Sequence, residues 1–233
     1  MGNKICERLK SKDIGAIGIG AMIVFIAMVL VAGIAASVLV QTSTKLETQA
    51  MTTGQQTIAE VSTGISVDAV YGHKASATTI DEIGIIVRPR AGSTDIDLSE
   101  TVIELSDSLT KNLLIYDNGN FANADDINGD FFGLAAFDGT ATQFQVVVIE
   151  DADGSCTGGT PVINKGDHVM LCIDVGNAFS NLAPRDDVFG QVITEDGAPG
   201  VISFTAPASF IDDVIELQFH QKQLVRKNHR LYH

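Results

Sequence analysis

From Ala16 to Val40, twenty-five consecutive residues carry no charged side chain, and Ser37 is the one hydroxyl among them. As a helix this run would be about 37 Å long, more than the ~30 Å hydrocarbon layer of a bilayer. It can therefore span lipid. The rest of the chain is rich in Asp, Thr, Ser and Gly. Two solvents are implied for two parts of one molecule.

The flanks orient the apolar run. Lys4, Arg8, Lys10 and Lys12 precede it against Glu7 and Asp13, a net charge of +2. Cationic residues stay on the cytoplasmic side, so the bulk of the chain is expected outside. A conventional secretory signal has a shorter apolar stretch followed by a small-residue cleavage site. Here the small residue, Gly15, lies before the apolar run. A cut at Gly15/Ala16 would leave the apolar helix on the mature chain.

The helical pattern continues past Val40. Leu46, Ala50, Thr57 or Ile58, Val61 and Ile65 recur at three- or four-residue intervals or their multiples. Lys45, Glu47, Gln49, Gln55, Gln56 and Glu60 supply the polar complement. No single domain could bury the first half of such a rod. It needs lipid or copies of itself. The core-packing positions expected on it are Ile19, Ile23, Phe25, Ile26, Val29, Leu30 and Ile34. Gly18, Gly20 and Gly33 permit close helix approach, as small residues do in membrane bundles.

From about Val67 the period shortens. Extended runs are read at 83–88, 96–98, 101–105, 113–116, 144–150, 168–175, 188–193, 201–205 and 214–220. Turn signals such as Asn128-Gly129, Asp153-Gly154, Lys165-Gly166-Asp167 and Asp196-Gly197 separate them. Seven or more short strands so punctuated predict an antiparallel β-sandwich or barrel. The class is α+β: a leader 1–15, a long hydrophobic helix 16–66, an extracellular β domain 67–221 and a basic tail 222–233.

The formal charge of the whole chain is −14, so −16 remains once the leader's +2 is set aside. That surface repels phosphate backbones, which excludes nucleic acid as a partner. His73, His168, His220, His229 and His233 are scattered, and no nucleophile elbow, phosphate loop or paired-histidine metal motif occurs. His168 within a strand reads as structural. No enzyme is indicated.

Two smaller sites are expected in the β domain. Cys156 and Cys172 stand 16 residues apart and outside the cytoplasm could close a disulfide. Asp126, Asn128, Asp130, Asp151 and Asp153 offer the hard oxygen ligands that Ca2+ prefers, although neither loop completes an EF-hand.

The segment Lys12-Asp13-Ile14-Gly15 followed by Ala16-Ile17-Gly18-Ile19-Gly20-Ala21-Met22-Ile23-Val24-Phe25-Ile26-Ala27-Met28-Val29-Leu30-Val31-Ala32 resembles the N-terminus of archaellins, the archaeal flagellins of the type IV pilin-like superfamily. The likeness extends through Ser37-Val38-Leu39-Val40 and 53–64. It implies cleavage by a prepilin-type peptidase between Gly15 and Ala16, an immunoglobulin-like sandwich and a helix that polymerises with sister copies or related subunits. The implied role is a structural subunit of the archaellum filament for swimming motility, membrane-inserted before assembly and extracellular after it. Related bacterial pilins carry glutamate at the fifth mature position, where this chain has Gly20. The alternatives are an archaeal adhesion pilin and a membrane-anchored extracellular binding domain. Archaellins are often N-glycosylated, yet no Asn-x-Ser/Thr triplet occurs here.

Overall fold

A computed structural model of the chain describes residues 2–219 except 77, 127, 128 and 180, with side chains omitted at 2–14, 16, 75 and 124. The basic tail 222–233 and Asn128 lie outside the described residues. The chain divides into two compact units, residues 1–56 and 57–233, each taken by itself below.

The first unit is helix. The α1 helix runs unbroken from Gly2 to Ser62, its last turns belonging to the second unit. No proline occurs before Pro89, and Ala, Leu, Met and Ile dominate the central turns. Past Val40, threonines replace aliphatic residues without exposing free hydroxyl donors. Thr42, Thr44, Thr48 and Thr52 each donate to a carbonyl four residues back, at 3.0, 2.7, 2.8 and 2.9 Å. Such back-bonding satisfies the hydroxyl within the helix itself.

The helix stops where the β domain captures its end. Thr63 N–H still donates to Ala59 at 2.8 Å, but the Thr63 carbonyl accepts from Ala198 N–H at 3.0 Å. Ser93 Oγ accepts from Gly64 N–H at 3.1 Å and donates to the Gly64 carbonyl at 3.0 Å. Gly197 beside this junction has φ +92°, and a Cβ there would lie 2.1 Å from the Thr63 carbonyl oxygen. Glycine is required on both counts. The expected helical reach to residue 66 is thus corrected. Ile65 opens the first strand and is fully buried, because its spacing also fits the inward face of a period-2 strand.

The strands among the described residues are β1 (Ile65–Ser76), β2 (Thr79–Pro89), β3 (Ile96–Asp97), β4 (Val102–Ser106), β5 (Lys111–Tyr116), β6 (Ala122–Asn123), β7 (Gln143–Glu150), β8 (Cys156–Thr157), β9 (Thr160–Ile163), β10 (His168–Asp174), β11 (Asp187–Ile193), β12 (Gly200–Thr205) and β13 (Val214–Phe219), with a short α2 at Val175–Phe179. Their order is β12-β11-β4-β5-β7-β10-β2-β1-β13, with β6 also on β7 and a separate small sheet β3-β9-β8. Pairing is antiparallel except where β5 and β6 each meet β7 in parallel. The β5–β7 pairing joins the two halves of the sandwich.

Alternation sorts the side chains into two layers. Ile83, Ile85 and Val87 of β2, Val146 and Val148 of β7, and Val169, Leu171 and Ile173 of β10 face the main core, together with Ile103, Leu114, Val192 and Ile202 from the other half. The intervening Val147, Met170 and Cys172 face outward, where Phe132, Ala136 and Phe137 cover them. Both faces of β7 and β10 are therefore buried. Their sequences accordingly read as continuous apolar runs rather than alternating ones.

Candidate functional site

The largest feature needing a partner is α1. From Ile17 to Ile58 every helix residue with a described side chain is exposed. The seven expected packing residues follow the pattern: Ile26 is 53% exposed, Val29 55%, and Phe25 and Ile34 67%, with Ile19, Ile23 and Leu30 in between. Met22, Ile23, Val24, Phe25 and Ile26 are consecutive and all exposed. Successive helical residues turn by about 100°, so these five cover the whole circumference. This stretch of the rod has no polar side to give to water.

Burying one such side chain is worth about 1.5–3 kcal/mol, and there are many of them. The helix is long and apolar enough to cross a membrane. A Cβ built at Gly18, Gly20 or Gly33 would meet nothing within 4 Å, so the fold of this one chain does not require those glycines. A close neighbouring helix would. Gly15, at the start of the run, is exposed.

The expected disulfide is corrected. Cys156 and Cys172 are both free and both buried. Cys156 packs in the main core, whereas Cys172 points to the outer layer, because it alternates with Leu171 and Ile173 on β10. The strand itself separates them. Burial, with the charges of Asp151 and Asp167 adding to it, pushes the Cys156 thiol up to about 12. Burial also raises Cys172 well above the ordinary thiol value, with Glu82 contributing.

The two acidic loops part company. Asp126 Oδ2 accepts from Asn123 N–H at 3.0 Å and Asp130 Oδ1 from Phe132 N–H at 3.1 Å, so both close local turns. Asp151 and Asp153 instead gather with Asp167, a ligand oxygen of each lying within 4.8 Å of the others. Asp151 is anchored by the N–H groups of Gly154 (2.8 Å) and Cys156 (3.0 Å). Asn164 donates to Asp153 Oδ2 at 2.6 Å, and hydrogen bonds from Asn164 and then Ser155 hold the Asp153 carboxyl below its usual value. Asp167 is 1% exposed; its Oδ2 accepts from Asn164 N–H at 2.8 Å. Its buried Oδ1 has no hydrogen-bond partner. Sequence reading missed Asp167 as a ligand because it caps a turn 16 residues from Asp151, and only the fold returns it.

A second cluster joins His73 to Asp81 and Glu82 on the outer face. Burial first, then the charge of Asp81, raises the Glu82 carboxyl to about 7, with His73 acting the other way. His168, read as structural, lies across from Glu150 on β7, Nδ1 to Oε2 3.5 Å.

Residues 15–204 match the family described as archaeal-type flagellin. Flagellin B2 of Methanocaldococcus jannaschii is 44% identical over 220 residues, covering 92% of this chain and all of that protein. Flagellin B3 of Methanococcus voltae is 36% identical over 236 residues, covering 90% of this chain and 98% of its own. Among solved structures, the crystal structure of archaeal flagellin FlaB1 from M. jannaschii superposes with a TM-score of 0.63 at 34% identity, covering 68% of this chain and 99% of that one. The archaeal flagellum of Methanospirillum hungatei strain JF1 shares the fold, with a TM-score of 0.58 at 14% identity over 85% of this chain and 98% of its own.

Proposed function

The chain belongs to the archaeal-type flagellin family and is a structural, non-enzymatic subunit of the extracellular archaellum filament, and from that premise we propose that α1 is its polymerisation element, released for assembly by a prepilin-type peptidase cut between Gly15 and Ala16. One observation carries the reading: an apolar rod exposed around its whole circumference. Before assembly, lipid shelters it. In the filament, the rods of sister or related subunits do. Apolar area stays out of water in both settings, so the transfer from lipid to bundle is nearly balanced. Removing residues 1–15 takes away four cations that would be costly to bury. The family match spans residues 15–204 and so contains the whole apolar run. Head-to-tail contacts that do not close into a ring then extend as a helix.

Mass spectrometry of subunits from filaments tests the cut. Chains beginning at Ala16 sustain it. Chains that retain Lys12–Gly15 would instead favour a permanent membrane anchor.

The acidic cluster supports a second, smaller reading: Ca2+ held by Asp151, Asp153 and Asp167. The specific observation is the buried Asp167 Oδ1, which no donor satisfies. An unpaired buried carboxylate oxygen is costly, and a hard cation among three carboxylates removes that cost.

A further inference from the structure

The outer face of the sheet carries a cluster that neither the filament role nor the acidic loops explain. His73 lies on β1 directly opposite Glu82 on β2. The next pair in register is Lys74 with Ile80, so Asp81 is the extra residue of a β-bulge. In a regular strand Asp81 would face away from Glu82. The bulge turns both carboxylates toward one imidazole, the kind of re-aiming bulges perform. His73 Nδ1 is 3.0 Å from Glu82 Oε2 and 3.8 Å from Asp81 Oδ1. We propose that His73 Nδ1, Asp81 Oδ1 and Glu82 Oε2 form a binding site for a divalent transition-metal cation of the Zn2+ class.

Three features support the site. Donors on a tetrahedral Zn2+, each about 2.1 Å from the metal, stand about 3.4 Å apart, and the two separations above bracket that value. All three atoms are sealed from solvent, and none has a hydrogen-bond partner of good alignment. The imidazole plane is already set, since the His73 ring stacks on Phe132 with centroids 5.1 Å apart and planes 15° apart. Phe132 is braced in turn by Phe137 at 4.8 Å.

Charge points the same way. Two carboxylates face one imidazole, and Asp174 stands opposite Glu82 on β10. Asp174 is occupied by Asn177, at 2.9 Å to the backbone N–H and 2.6 Å to the side-chain amide. The neighbouring cation, Lys74, is committed to Asp213 (2.9 Å) and the Ile211 carbonyl (3.1 Å). A divalent ion supplies the positive charge that the cluster lacks. The nitrogen donor selects Zn2+-class ions over Ca2+, which takes oxygen ligands. Three protein donors leave a fourth position for water.

Co2+ is the probe. The full mature chain in detergent, stripped of metal with chelator and returned to excess Ca2+ so that Asp151, Asp153 and Asp167 stay occupied, is titrated with Co2+ and followed by its visible ligand-field absorption. The expected result is absorption that saturates at one ion per chain, is displaced by Zn2+ and is absent from His73→Ala. Glu82→Gln, which keeps the side-chain shape, weakens binding on the order of tenfold or more and decides the matter if His73→Ala does not fold. Asp196→Asn, outside both clusters, leaves the signal unchanged. The site is overturned by absorption that persists in His73→Ala, by loss of the signal in Asp196→Asn, by unaltered affinity in Glu82→Gln, or by no absorption in the wild-type chain.

Discussion

The side chain of Gln218 on β13 accepts from Ser203 N–H on β12 at 2.7 Å and donates through its amide to the Val201 carbonyl at 3.3 Å. These two strands are the opposite ends of the long sheet order, so one side chain supplies the hydrogen bonds that a backbone would supply in a closed barrel. Gln218→Leu removes both bonds and returns one edge of β12 to solvent. Each bond contributes about 0.5–1.5 kcal/mol, so denaturant melts of the β domain should show a loss of about 1–3 kcal/mol. An unchanged midpoint would mean that water replaces the amide without cost.

The polymerisation role of α1 predicts separable effects on assembly and folding. Ile26→Asp places a charge in the middle of the apolar rod, where a helix bundle offers it no partner. Filaments should be absent by electron microscopy while the β-domain melt stays at the wild-type midpoint. Filaments from this variant would show that the rod is not what holds subunits together.

Gly15→Val adds a branched side chain at the proposed peptidase junction. Precursor with the leader attached should accumulate in the membrane fraction, and filaments should be lost. Normally trimmed filaments from this variant would place the cut elsewhere.

The separation of Cys156 and Cys172 into two layers predicts inert thiols. A thiol raised from 9.0 to about 12 holds about a thousandfold less thiolate at neutral pH, and the thiolate is the reacting form. Thiol reagents should therefore label neither cysteine until the β domain unfolds, and reducing agent should not shift the melt. A drop in melting temperature with reductant would restore the disulfide.

Much of this architecture is legible residue by residue, and the misses share a cause. The apolar run 16–40 needs no tertiary information, because its own composition excludes water. The β10 run His168–Asp174 reads as a strand because it is a short apolar run that starts just after the Lys165-Gly166-Asp167 turn. β1 was not legible. Its first residue continues the helical spacing of Leu46 to Val61, and register shifts at Val67/Ala69, His73/Lys74 and Lys74/Ser76 break its alternation. The same shifts conceal the His73–Asp81–Glu82 cluster, whose members share a face only through a bulge. Asp167 was missed for a different reason. In Lys165-Gly166-Asp167 it is an ordinary turn residue, and its burial depends on chain that lies well before it.

Ca2+ at Asp151, Asp153 and Asp167 carries the remaining prediction, and its sign follows from linkage. An ion that binds the folded domain and not the unfolded chain stabilises by about 2.7 kcal/mol at a hundred times its dissociation constant. For a domain of this size that is a shift of about 5–10 °C. Treatment with EGTA should lower the melting temperature by that amount, and returning Ca2+ should restore it. Asp153→Asn weakens one ligand and should leave a melt that no longer responds to EGTA or Ca2+. Asp167→Asn is more informative, because it replaces the unpaired buried oxygen with an amide. Without Ca2+ it should match or exceed the wild-type midpoint, since an orphaned charge is gone. With Ca2+ it should fall below wild type. Identical wild-type melts in EGTA and Ca2+ would reduce the cluster to a set of turn caps around Asn164.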